Sequence, residues 1–123
     1  MVKILDMQDR PCPRKTWGFE EWIVNNDKYC GKRLHFEVAG GSTSLHFHVS
    51  KHETMYVENG KFTIVVVDVK TATQTFHTLV KGQSLEIPQN TPHRIIGEVA
   101  GSVLVEFSTH HEDSDSYRIA KWK

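Results

Sequence analysis

Apolar and polar residues alternate with a period of two along much of the chain, and turn-forming residues break that alternation at short intervals. Leu34, Phe36 and Val38 fall on one face of the stretch from Tyr29 to Val38, and Val103, Val105 and Phe107 oppose Leu104 and Glu106 between Ser102 and Phe107. Side chains of an extended strand point to alternate faces, so each stretch predicts a strand with one face turned inward. Trp17 to Asn25 mixes aromatic and β-branched residues and stops at Asn25-Asn26-Asp27, which predicts a strand and a hairpin. Lys61 to Val69 holds the run FTIVVV, a buried strand, and Thr71 to Val80 reads as its partner. A short apolar strand is expected at Val2 to Leu5, followed by an arm through Pro11 and Pro13. The chain closes on a mixed segment around Tyr117, Ile119 and Trp122. No stretch carries the 3.6-residue period of an amphipathic helix, and there is no internal repeat. Many short strands predict one all-β barrel domain over residues 1–123, with residues 1–16 as strand and arm and residues 17–119 as the barrel.

The alternation also places chemistry. In GGSTSLHFHVSKHETMYVENG, from Gly40 to Gly60, His46 and His48 share one face while Leu45, Phe47 and Val49 take the other. The residues from Val49 to His52 suffice to turn the chain, so that Glu53 opens the next strand with its carboxylate back near the imidazoles. Further on, GQSLEIPQNTPHRIIG supplies His93 behind Pro88 and Pro92. Three imidazoles and a carboxylate suit a divalent transition metal (Zn, Mn, Fe, Co or Ni) rather than Mg or Ca. Burying that set without an ion would leave polar groups unsatisfied at roughly 1–3 kcal/mol apiece. His35, His77, His110 and His111 stand outside the pattern and read as packed or solvent-facing residues.

Composition narrows the class. Lys plus Arg and Asp plus Glu each number 15, giving formal neutrality without a run of like charge, which argues against nucleic-acid or anionic-membrane partners. The N-terminus lacks the apolar core of a signal peptide, and no membrane-length apolar run occurs, so a cytoplasmic protein is expected. Cys12 and Cys30 have no metal-binding spacing, and a reducing cytosol argues against their pairing.

The spacing Gly40, five residues, His46, one residue, His48, four residues, Glu53, six residues, Gly60 resembles the first signature of the cupins. Gly82, five residues, Pro88, then His93 resembles the second, with Asn90 where that pattern has glycine and Gly97 where it ends in asparagine. Asn tolerates the left-handed conformation, so the turn at Asn90 is expected to survive. The resemblance implies a double-stranded β-helix, a jelly-roll barrel with a metal in its mouth.

At finer grain, WGFEEWIVNNDKYCGKRLHFEVAGGSTSLHFHVSKHETMYVENG, IPQNTPHRI and EFSTHHEDSDSYRI resemble the cupin domain of type II mannose-6-phosphate isomerase, which also occurs fused to mannose-1-phosphate guanylyltransferase. That family usually has glutamine where His46 stands. The resemblance implies aldose–ketose isomerisation of a small phosphorylated sugar by a homodimer. Lys32, Lys51, His52, Glu86, Arg94 and Glu106 are the polar candidates near the barrel strands, with Lys51, Arg94 and Glu106 expected in catalysis and Arg94 matched to the phosphate. The alternatives are an Fe-dependent dioxygenase, which the same ligands would serve, and a non-catalytic sugar-binding module.

Overall fold

The computed structural model describes residues 1–120, so Trp122, expected in the last segment, lies outside the described residues. Twelve strands follow in chain order: β1 (Arg14–Lys15), β2 (Gly18–Asn25), β3 (Cys30–Phe36), β4 (Gly41–Ser42), β5 (Leu45–His48), β6 (Glu53–Asn59), β7 (Lys61–Asp68), β8 (Thr73–Val80), β9 (Ser84–Ile87), β10 (His93–Gly97), β11 (Ser102–Ser108) and β12 (Ser116–Ala120). Two single 3₁₀ turns, Met7–Asp9 and Asp113–Asp115, are the helical elements among the described residues, and none is long and apolar enough to cross a membrane. Cys12 is exposed, Cys30 is buried, and they are not bonded to each other.

The strands form two antiparallel sheets packed face to face as a jelly roll. One has the order β1-β2-β3-β11-β6-β9, the other β12-β5-β10-β7-β8 with β4 beside β10. The strands expected from alternation are present within a residue or two, except at the N-terminus. Val2 to Leu5 forms no strand and is exposed. The proline arm takes the sheet position instead: the carbonyls of Pro11 and Pro13 accept the N–H groups of Trp22 and Glu20 at 3.3 and 3.1 Å. Proline lacks an N–H but keeps its acceptor, so this arm fits an edge.

The core lies between the sheets and draws on both: Leu34, Phe36, Met55, Val57 and Leu104 from one, Phe62, Ile64 and Ile95 from the other. Phe36 stacks on Trp17 at 4.1 Å between ring centroids and meets Phe62 edge-on at 5.1 Å. Gly97 is required here, because a Cβ at that position would lie 2.7 Å from the Cβ of Phe36. Asn90 has φ 59°, the left-handed turn expected where the signature has glycine.

Candidate metal centre

The inward faces change character along the strands. On β3 the inward series runs Phe36, Leu34, Lys32, and on β11 it runs Ser102, Leu104, Glu106, all of them buried. Register pairs Lys32 with Glu106, and Glu106 with Met55 on β6. In the other sheet, Arg118 pairs with His46 and His46 with His93. Facing rows of ionisable side chains therefore meet at one end of the barrel, around a cavity of about 990 Å³.

His46, His48 and His93 present ligand atoms within 4.8 Å of one another. Their ring centroids lie 4.5, 5.2 and 5.9 Å apart. Each ring is oriented by a backbone carbonyl. Nδ1 donates to Ser44 O at 2.9 Å from His46, to Asp115 O at 3.1 Å from His48 and to Thr91 O at 2.9 Å from His93. A carbonyl only accepts, so Nδ1 carries the proton and Nε2 keeps its lone pair, the arrangement in which a second partner fixes a metal-binding histidine. Burial lowers all three pKa values to about 4, with neighbouring imidazoles or Lys51 adding repulsion. The rings are neutral at pH 7 and ready to bind a cation.

Glu53 begins β6 and is buried, with Oε2 3.4 Å from His48 Nε2 and 3.6 Å from His93 Nε2. Two atoms bound to one ion at about 2.1 Å must lie within about 4.2 Å of each other, so these separations fit a shared ion. His93 Nε2 and Glu53 Oε1 are buried without a hydrogen-bond partner among the described residues. Buried polar atoms are rarely left so, and a bound cation satisfies both. Without an ion, burial and the charge of Glu106 push the Glu53 carboxyl well above its usual pKa. A cation beside it reverses that logic.

Behind the ligands lies a buried ionic cluster. Lys51 Nζ donates to Glu106 Oε2 at 3.2 Å and to His111 Nδ1 at 3.2 Å, and His111 Nε2 donates to Asp113 Oδ1 at 2.9 Å. Burial alone would raise the Glu106 pKa, yet Lys51, the Glu53 carboxyl and Lys32 outweigh it and hold the group well below its usual range. Burial likewise opposes the Lys51 charge, and Glu106 with Glu53 overcomes it and raises that pKa. Lys32 is buried 4.1 Å above the Trp22 ring and 3.5 Å from Glu20 Oε1. The Glu106 carboxylate and the Lys51 ammonium thus stay charged beside three neutral imidazoles.

The sequence candidates divide accordingly. Lys32, Lys51 and Glu106 line the cavity with His46 and His48. His52 and Glu86 pair with each other at 2.8 Å with largely exposed side chains, and neither lines the cavity. Arg94, expected to hold a phosphate, alternates with His93 and Ile95 on β10, donates to Ser42 Oγ at 3.0 Å, and is not among the cavity-lining residues. His111, expected to be packed or solvent-facing, is packed: it is buried on the cavity wall, 5.1 Å edge-on from Trp22. Asp115 stands outside the sequence pattern. Its carboxylate accepts the N–H groups of Val49, Ser50 and Lys51 at 3.0–3.1 Å, clamping the turn between His48 and Glu53.

A family model described as Cupin matches residues 23–120. No curated protein matches the chain. Among solved structures, oxalate decarboxylase from Bacillus subtilis superposes with a TM-score of 0.81 at 15% identity, over 94% of this chain and 31% of the other. KdgF from Halomonas sp. gives 0.76 at 13% identity, covering 93% and 98%, and CapF gives 0.78 at 17%, covering 90% and 34%. The chain thus spans about a third of the oxalate decarboxylase and CapF chains but nearly all of KdgF, and these likenesses speak to the fold alone. The matched family, the two-sheet jelly roll and the histidine cluster at its mouth agree: the chain belongs to the cupins.

Proposed function

We propose that this cupin is a metal-dependent aldose–ketose isomerase acting on a small phosphorylated sugar. The observation that carries the reading is the buried Lys51–Glu106 pair on the wall of the cavity that His46 and His48 also line. His46, His48, Glu53 and His93 would hold the divalent ion. Bound there, it supplies a Lewis acid for a carbonyl and the adjacent hydroxyl, making the intervening C–H more acidic.

Isomerisation moves one proton between adjacent carbons and another between their oxygens, with no net oxidation. Glu106, kept ionised by Lys51 and Lys32, takes the proton from carbon and returns it to the neighbouring carbon. The Lys51 ammonium gives a proton to the carbonyl oxygen and regains one from the neighbouring hydroxyl, which completes the transfer between the oxygens. His111, braced by Asp113, holds Lys51 in place. Proton transfer between adjacent carbons needs a carboxylate and a proton donor beside the metal ligands, and the Lys51–Glu106 pair supplies both, which favours the isomerase.

The test is anaerobic incubation of metal-loaded protein with mannose 6-phosphate and close phosphorylated analogues in D₂O, followed by NMR. Fructose 6-phosphate or the matching ketose should form, with solvent deuterium at the exchanged carbon. Absence of exchange with every first-row divalent metal would overturn the reading. Oxygen uptake with Fe would then select the dioxygenase, and ligand-induced stabilisation without turnover the binding module.

The same proposal includes a homodimer. Val2, Ile4, Leu5 and Met7 are exposed on the N-terminal arm, and a second copy would cover them. Light scattering at tens of micromolar should give twice the chain mass, whereas a monomer would refute the dimer.

A further inference from the structure

We infer that Arg118 is the anion-binding residue of the cavity and selects substrates carrying a phosphate or carboxylate group. Register fixes its direction: β12 pairs Ser116 with His48, Tyr117 with Phe47 and Arg118 with His46. Tyr117 stacks on Phe47 on the outer face at 5.2 Å, so Ser116 and Arg118 turn inward with the two histidines, and both line the cavity. Cross-strand neighbours on one face stand about 5 Å apart at Cβ, so the Arg118 and His46 side chains leave the sheet side by side.

What separates Arg118 from the other cavity cations is that it has no partner among the described residues. Arg14 is paired with Glu37 at 2.8 Å, Lys15 with Glu20 at 3.9 Å, Lys32 with Glu20 at 3.5 Å and Lys51 with Glu106 at 3.2 Å. Arg118 has no ion pair or side-chain hydrogen bond among the described residues. These five cations face only Glu20, Glu106 and Asp113 among the lining carboxylates. A neutral chain that concentrates positive charge around one cavity, and leaves a forked donor there unused, is built to receive an oxyanion.

The inference deepens the isomerase reading by naming the group that would hold the sugar's anionic end, and it rests on that reading only for the choice of sugar. Calorimetric titration with mannose 6-phosphate, mannuronate and mannose, on the metal-loaded wild type and on Arg118→Ala, Arg118→Lys and Arg94→Ala, tests it without turnover. At least one anionic ligand should bind the wild type more tightly than mannose; its phosphate or carboxylate identifies the natural group. That advantage should fall about ten- to hundredfold in Arg118→Ala, the value of a charge-assisted hydrogen bond, and partly return in Arg118→Lys. Arg94→Ala should keep it. No anionic advantage in the wild type, or one that survives Arg118→Ala, overturns the inference. Turnover of neutral sugars without an anionic preference would leave the isomerase standing and Arg118 unassigned. Arg118-dependent anion binding without turnover would do the reverse.

Discussion

The two ends of the barrel interior are built on the same strands and obey opposite rules. At one end Phe36, Val57, Phe62, Ile64 and Leu104 are buried with no accessible surface in one apolar cluster. At the other end, one or two inward positions along those strands, Lys32, Glu53 and Glu106 are almost as deeply buried and are charged or chargeable. Burying apolar area stabilises the fold at about 25 cal/mol per Å², whereas burying charge costs free energy unless pairing offsets it. The apolar end stabilises the fold, and the polar end is the one proposed for chemistry.

That contrast can be broken most forcefully from the polar side. Glu106→Gln removes the proton acceptor and should lower turnover about 10²- to 10⁴-fold by single-turnover kinetics. It also strands Lys51, so chemical denaturation should register a loss of about 3–5 kcal/mol. Combining Lys51→Met with Glu106→Leu should recover most of that stability and none of the activity. A double variant as unstable as the single one would mean the pair serves the fold.

From the apolar side, Phe36→Ala should cost about 3–5 kcal/mol of stability, measured by urea unfolding, while metal is still bound by the folded fraction. Acid should discriminate the ends as well. The folded-state pKa values of His46, His48 and His93 lie near 4, below their usual 6.5. As pH falls from about 6.5 to 4, the unfolded chain takes up protons that the folded chain refuses, and the ion-free protein loses stability across that window. Glu53 acts with the opposite sign. Its raised pKa lends the ion-free protein stability at low pH, lost as pH rises through the folded-state value. Metal binding should therefore expel the Glu53 proton at any pH below its raised folded-state pKa, read as a dependence of binding heat on buffer ionisation enthalpy.

The smallest effect is expected at the clamp of the ligand turn. Asp115→Ala removes acceptors from three backbone N–H groups and should cost about 1–2 kcal/mol by thermal unfolding, with weaker metal binding.

His46, His48, Glu53 and His93 were legible because period-two alternation and one short turn bring the first three together, and a proline-bounded turn delivers the fourth. The positions of most strands along the chain were carried by the same alternation. Adjacency to His93 in a strand puts Arg94 on the opposite face, a signal that alternation also carries. His111, Asp115 and Arg118 sit in HHEDSDSYRI, a polar run without periodic contrast. Their place at the site depends on β12 pairing with β5 across a long sequence separation, which no local pattern encodes. Val2 to Leu5 had the residues of a strand but no neighbour to complete its ladder.

The central claim is that one transition-metal ion is held by His46, His48, Glu53 and His93. Elemental analysis of purified wild type and His48→Ala tests it directly: about one equivalent per chain is predicted for the wild type and less than half for the variant, and full occupancy in His48→Ala would contradict the assignment.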